Sequence, residues 1–312
     1  MATLRRNKVL RAVLASMALA AAPLASAHAN LNVFACEPEW GALVKELAGD
    51  KADIYVATTG LQDPHRVEAR PSLIAKARAA DLEVCTGAEL EIGWLPMIEQ
   101  QTANGKIAPG APGHFEAAAL LQLKEIPTAF DRAAGDIHSQ GNPHIQADPR
   151  NLLAISAPLA QRMAELDPAN AAIYAARQAD FAKRFTAAIA KWQTEAASLR
   201  GTPIVVEHLS WVYLESWLGL VRVAPLEPKP GVPASSGYLA SVLDKLKAQP
   251  AKFIIRAAYE DDRPSQFVAG RTGLPVATLP FTVGGNDQAK DLFSLYEDTI
   301  RRLLAAHGGA PS

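Results

Sequence analysis

The sequence predicts an α/β protein of two lobes, each a four-stranded parallel sheet flanked by helices, joined by a long rigid backbone helix. Three observations carry that expectation. Short apolar runs bounded by turn residues alternate with helical patterns from Leu31 to about Leu166, the same alternation resumes at Thr202, and an unusually long amphipathic stretch lies between. Strands separated by helices build parallel sheets from βαβ units. The chain is 312 residues long, which suits two modest lobes better than one ordinary domain.

Residues 1–29 read as a signal peptide. They hold a basic start (Arg5, Arg6, Lys8, Arg11), an apolar run from Ala12 to Leu24, and small-residue cleavage sites around Ala27 and Ala29. That run is too short and alanine-rich for a membrane span, and no later segment approaches the roughly 20 apolar residues one needs. No cysteine flanks the cleavage site, so a lipid anchor there is not expected. A soluble protein exported to a bacterial periplasm is expected. Cleavage removes four of the 31 Lys and Arg and none of the 32 Asp and Glu, leaving a net charge near −5. That balance argues against a nucleic-acid partner.

The N-terminal α/β lobe, residues 30–166, is expected to have strands at Leu31–Cys36, Asp53–Ala57 and Leu82–Thr86, with a weaker fourth near Leu120–Leu123. Cys36 and Cys85 each end an apolar run. They pair in an oxidising compartment if their strands are neighbours, and are otherwise two small buried thiols; neither has the CxxC spacing of a metal site. Asp148 and Pro149 mark a helix start, as cap and first helical residue. The linking helix, residues 167–200, begins at Asp167-Pro168 and ends at Gly201. Phe181, Phe185, Ile189, Trp192, Ala196 and Leu199 recur on one helical face. About 33 residues at roughly 1.5 Å each give a rod of about 50 Å, and a site between lobes joined that way should be largely preformed. The C-terminal α/β lobe, residues 201–312, offers strands at Pro203–Val206, Leu220–Ala224, Lys252–Arg256 and Val276–Leu279.

Ligands of parallel sheets bind beyond the carboxyl ends of the strands. His65 in "LQDPHRVEARPS", His144 in "GNPHIQADPRN" and His208 in "PIVVEHLSWVY" all take such positions. Three neutral imidazoles converging on a cleft suit tetrahedral Zn²⁺. A fourth donor is expected late in the second lobe, where Asp287 stands between a glycine turn and a helix. The same residue serves equally as a helix cap. Glu260 and Asp261 are the reserve candidates, and His138 is a possible auxiliary donor.

The stretches "DPHRVEARPSLIAKARAADLEVCTGAELEIGW", "GNPHIQADPRN", "EHLSWVYLESWLGL" and "EPKPGVPASSGYLASVLDKLKAQPAKFII" span nearly the whole mature chain. In them the sequence resembles the metal-binding solute receptors of zinc and manganese ABC importers. The resemblance implies His65, His144 and His208 as metal ligands with Asp287 as the carboxylate, and Zn²⁺ as transported ligand rather than catalytic cofactor. It implies a membrane permease as partner, admits a periplasmic metallochaperone, and points to a monomer that is not an enzyme. Three histidines follow the zinc pattern, whereas manganese receptors exchange one for a carboxylate. Residues 130–142 lack the long His- and acid-rich loop of many zinc members and carry only His138. The Pro- and Gly-rich "EPKPGVPASSGY" is a restricted surface loop, either an ordinary connector or a segment that answers to metal or permease. Two other functions compete. A three-histidine zinc hydrolase would need an open coordination position and a general base, and no HExxH or GxSxG is present. A metal-assisted adhesin would need a host-ligand surface, which a sequence alone does not show.

Overall fold

A computed structural model of the chain describes residues 29–128, 135 and 138–308. The signal segment, apart from its last residue, lies outside the described residues. No helix among those described is long and apolar enough to cross a membrane.

Strands β1 (Leu31–Ala35), β2 (Ala52–Val56), β3 (Leu82–Cys85) and β4 (His114–Glu116) form one parallel sheet in the order β2-β1-β3-β4. β5 (Pro203–Val206), β6 (Val221–Pro225), β7 (Phe253–Ala257) and β8 (Val276–Leu279) form a second with the equivalent order, β6-β5-β7-β8. In each sheet the chain crosses first to one side of its opening strand and then to the other. The carboxyl ends of β1/β3 and of β5/β7 are therefore the switch points at which loops diverge and leave room for a ligand.

Seven of the eight strands lie within a residue of their expected places. The exception is β4, expected at Leu120–Leu123 and found at His114–Glu116. The apolar "LLQL" misled because Leu120 is exposed and ends a single 3-10 turn, Ala117–Leu120. The real strand is three residues long, polar at both ends, and buries only Phe115. An edge strand needs no more.

Cys36 follows β1, Cys85 ends β3, and these strands are neighbours, so the two cysteines form a disulfide with a Cα–Cα distance of 4.8 Å. That settles the alternatives left open above. Asp148 caps helix α4 (Pro149–Leu166) as its position suggested, its side chain accepting from the Arg150 N–H; the three shorter helices before it are α1 (Pro38–Ala48), α2 (Pro71–Arg78) and α3 (Leu95–Thr102).

The linking helix is shorter than its sequence pattern. α5 runs Ala171–Glu195, 25 residues or about 37 Å, with 3-10 turns at Pro168–Asn170 and Ala197–Leu199. The apolar face persists through the second turn, where Ala196 and Leu199 remain buried. A pattern of period near 3.6 cannot show where the last turns tighten to three. α6 (Val212–Leu218), α7 (Ser236–Ala248) and α8 (Arg263–Thr272) complete the second half with α9 (Leu292–His307).

One hydrophobic core joins the two sheets. It takes Val33 and Leu82 from the first sheet, Ile204 and Phe253 from the second, Phe181, Phe185 and Trp192 from α5, and Leu292 and Tyr296 from α9. Phe181 stacks on Phe185 at 4.8 Å, Phe185 meets Phe293 edge-on at 5.2 Å, and Trp192 lies 5.3 Å from Tyr296. Smaller cores fill the outer face of each sheet.

Three carboxyls are buried beside the disulfide. Glu91 accepts the Thr86 and Gly87 N–H groups at 2.7 and 3.1 Å, Glu37 lies against Glu91, and Glu39 accepts the Thr282 hydroxyl from the other half. Burial pushes Glu39 and Glu91 up to about 7, against hydrogen bonds that pull the other way, and raises Glu37 through burial and the neighbouring carboxyls. A carboxyl raised on folding stabilises the native state below its unfolded pKa and ceases to do so as pH rises through the folded one. The urea midpoint should therefore fall between pH 5 and pH 8, less steeply in Glu39→Gln, whose amide oxygen still accepts from Thr282. An equal slope in the two proteins would show that Glu39 is not a proton-linked group.

Candidate metal centre

The three histidines singled out in the sequence converge. One ring nitrogen from each of His65, His144 and His208 lies within 4.8 Å of the other two. Their ring centroids are 5.2 Å (His65–His144), 5.5 Å (His144–His208) and 5.8 Å (His65–His208) apart.

Two of them are built by one local device. In Asp63-Pro64-His65 the Asp63 Oδ1 accepts from the His65 backbone N–H at 3.0 Å and stands 2.8 Å from its Nδ1. In Asn142-Pro143-His144 the Asn142 Oδ1 accepts from the His144 N–H at 3.1 Å and stands 2.9 Å from its Nδ1. Proline between the two stiffens an Asx turn, and the same oxygen fixes backbone and ring together. An amide oxygen only accepts, so the Nδ1 of His144 carries the proton and its Nε2 keeps the lone pair. That Nε2 is buried and has no hydrogen-bond partner.

His208 follows the carboxyl end of β5 and uses a distant residue. Its Nδ1 lies 2.6 Å from Glu227 Oε2, which also accepts the Gly231 N–H at 2.9 Å. The Pro- and Gly-rich loop after β6 thus orients a site histidine. All three rings are held at Nδ1 by a side-chain oxygen, which leaves Nε2 as the donor.

The loops bearing these residues are tied down in turn. Trp94 Nε1 donates to the Pro64 carbonyl at 2.9 Å beneath His65. Asn142 Nδ2 donates to the Leu209 carbonyl at 2.7 Å, and the Tyr213 hydroxyl donates to the Asn142 carbonyl at 2.7 Å, joining the His144 loop to the His208 loop. Gly60 faces Gly284 and Gly285 of the other half, and a Cβ there would stand 2.3 Å from the Gly285 nitrogen, so only glycine fits.

His138 stands beside two of the three. Its Nε2 lies 3.2 Å from His65 Nε2 and its ring centroid 6.1 Å from that of His144. The His65–His138 spacing is a hydrogen bond between the rings, and it also matches the roughly 3.3 Å that separates two donors about 2.05 Å from a tetrahedral ion.

Asp287 does not join. It is exposed on the loop before α9, where Asn286 turns the chain by accepting the Gln288 and Ala289 N–H groups. Nor does Asp287 cap α9, because Asp291 does so through a capping box with Ser294. Asp261 pairs with Arg263 on the surface. Glu260 faces the site: its Oε1 is buried without a hydrogen-bond partner, and burial pushes it up to about 7.

The histidines stand between two clefts that share His208. One, of about 660 Å³, is lined by Asp63, His65, Glu207, Glu227, Tyr259 and Glu260 among others. The other, of about 450 Å³, is lined by His138, Asn142 and His144. Burial, reinforced by the neighbouring imidazoles, holds His144 well below the usual imidazole range, so it is a neutral donor. Burial alone would depress His208 as well, but the hydrogen bond and charge of Glu227 outweigh it and raise its pKa.

Comparison with known proteins agrees with this architecture. The profile of the family "ZnuA: Zinc-uptake complex component A periplasmic" matches residues 33–306. The chain belongs to the ZnuA family. It is 21% identical over 269 residues to the metal ABC transporter substrate-binding lipoprotein ScbA of Streptococcus cristatus, covering 86% of this chain and 84% of that one. To the manganese ABC transporter substrate-binding lipoprotein scaA of Streptococcus gordonii it is 22% identical over 273 residues, covering 87% and 86%. A crystal structure of ZnuA shares the fold, with a TM-score of 0.73 at 21% identity, covering 89% of this chain and 99% of that one.

Sequence reasoning found the three clustered histidines and missed what orients them. Asp63 and Asn142 were legible, since Asx-Pro-His occurs at both loops two residues ahead of a candidate ligand. Glu227 was not, because nineteen residues and a strand separate it from His208.

Proposed function

We propose that this ZnuA-family member is an exported periplasmic receptor that captures Zn²⁺ and hands it to the permease of an ABC importer, performing no chemistry on it. The observation that carries the reading is the shared orientation of three imidazoles from separate loops, each held at Nδ1 by a side-chain oxygen. His65, His144 and His208 are the proposed ligands, with His138 as the fourth in place of Asp287. An all-nitrogen shell suits zinc, whereas manganese favours oxygen donors. A fourth protein ligand also closes the position that a zinc hydrolase keeps open for water.

Manganese is the second reading, prompted by the names of relatives such as scaA. It requires a carboxylate in the shell, and Glu260 is the one placed for it. Competitive titration of the metal-free mature protein with Zn²⁺ against Mn²⁺ tests the choice. Zinc should win by at least about a hundredfold, and manganese prevailing would overturn the assignment. Within the zinc reading, His138→Ala should weaken binding about tenfold and speed release, while Asp287→Ala should change neither. The reverse pattern, read by chelator competition and stopped-flow release, would restore Asp287 as the fourth ligand.

A further inference from the structure

A second cluster of metal-ligating side chains lies away from the cleft. Glu83 on β3 and His114 on β4 are register partners across the parallel pair, near the amino ends of both strands. The ligands of the cleft gather beyond the carboxyl ends. His114 Nδ1 lies 3.2 Å from Glu83 Oε1 and 3.5 Å from Glu99 Oε1 of α3, and its Nε2 is 3.8 Å from Glu116 Oε1. Ligand atoms of Glu83, Glu99 and His114 all fall within 4.8 Å of one another.

Two features separate this cluster from an ordinary surface group of acids. Glu83 is fully buried, and its Oε2 has no hydrogen-bond partner, an arrangement that costs free energy unless something occupies that oxygen. The spacings of 3.2 and 3.5 Å, those of a hydrogen-bonded ion pair while the ring is protonated, also bracket the roughly 3.3 Å edge of a tetrahedron around an ion with ligands at about 2.05 Å. Three carboxyls surround one imidazole, so the pocket favours positive charge. Glu116 and Glu83 raise His114 to about 10, and burial with Glu83 raises Glu99 to about 7, so a metal ion must displace the imidazolium proton to bind and the site is weaker for it. Arg162, the nearby guanidinium, donates to the Pro112 and His114 carbonyls. His114 and Glu99 have side chains 13% and 14% exposed, and Glu116 is half exposed, which leaves an open rim for an ion and its water ligands.

We propose that Glu83, Glu99 and His114 form a second, weaker site for a divalent transition cation, Zn²⁺ in the first instance, with Glu116 orienting the ring from its far nitrogen. One nitrogen and two carboxylate oxygens are a zinc donor set with a position left for water. The site shares no residue with the cleft, so the two are separable by mutation.

The test is equilibrium dialysis of the metal-free mature protein against Zn²⁺, with Co²⁺ absorption as the spectroscopic probe. Wild type should bind two equivalents of differing affinity. His144→Ala should weaken the tighter and keep the second, whereas His114→Gln should lose the second by at least tenfold and leave the tighter unchanged. Glu99→Gln, at the rim of the fold, repeats that measurement should His114→Gln fail to fold. A single equivalent in wild type, or a second equivalent that survives both His114→Gln and Glu99→Gln, would overturn the proposal.

Discussion

His144→Ala lowers zinc affinity by about a hundred- to a thousandfold, the largest effect expected of any change in the cleft. Structural zinc sites of four ligands bind with about 10–16 kcal/mol, so each donor carries about 2.5–4 kcal/mol, or about two to three powers of ten. His144 is the most buried of the proposed ligands, at 1% exposure, and its Nε2 has no other partner to lose. Water entering the space left by the ring would have to be desolvated among apolar neighbours such as Phe281, whose ring lies 5.7 Å away. Asn142→Ala leaves every ligand in place and should still cost about ten- to a hundredfold, because it frees the ring of His144 and unties the Leu209 carbonyl. Chelator competition on the purified variants checks both. Wild-type affinity in His144→Ala would remove it from the shell.

Phe185→Ala should destabilise the protein by about 3–5 kcal/mol, the usual cost of deleting a buried phenylalanine. Phe185 is fully buried and touches the rings of Phe181, Trp192, Phe293 and Tyr296. These residues belong to a core that includes both sheets, so unfolding followed by tryptophan fluorescence and by circular dichroism should move together as one transition. Two separated transitions, or a loss under about 1 kcal/mol, would show that the halves are stabilised independently of α5.

The parts of the fold that were legible share one property: periodicity long enough to count. Seven strands and the apolar face of α5 declared themselves through runs of β-branched residues and steps of three and four. β4 did not, because three residues of an edge strand carry no period, and the apolar Leu120–Leu123 next to it reads better than it packs. Within the site, His65, His144 and His208 were visible because each follows a strand or turn. Asp287 satisfies the same rule but stands exposed outside the histidine cluster, since proximity to a glycine turn says nothing about which way the loop leaves the sheet. His138 was visible as an auxiliary donor, whereas Glu227 is brought in by a loop whose course only the folded chain reveals.

The oxygens that hold the three rings also set an electrical balance. The donors themselves are neutral imidazoles, so the ion's charge must be met by groups that never touch it. Asp63 and Glu227 provide two carboxylates, Asn142 contributes none, and the Asp63 carboxyl, despite burial, is held below its usual range by its hydrogen bond to His65. Glu207 and Glu260, which face the same cleft, are pushed up by burial to about 8 and 7 and so are only partly ionised near neutrality. Two fixed negative charges around neutral donors cancel a divalent ion. A monovalent ion would leave an anion stranded, and a trivalent one an excess cation, each at the cost of burying net charge. In the proposed shell, valence is thus selected one bond further out than chemical identity: the nitrogens choose the element, and the residues behind them fix its charge.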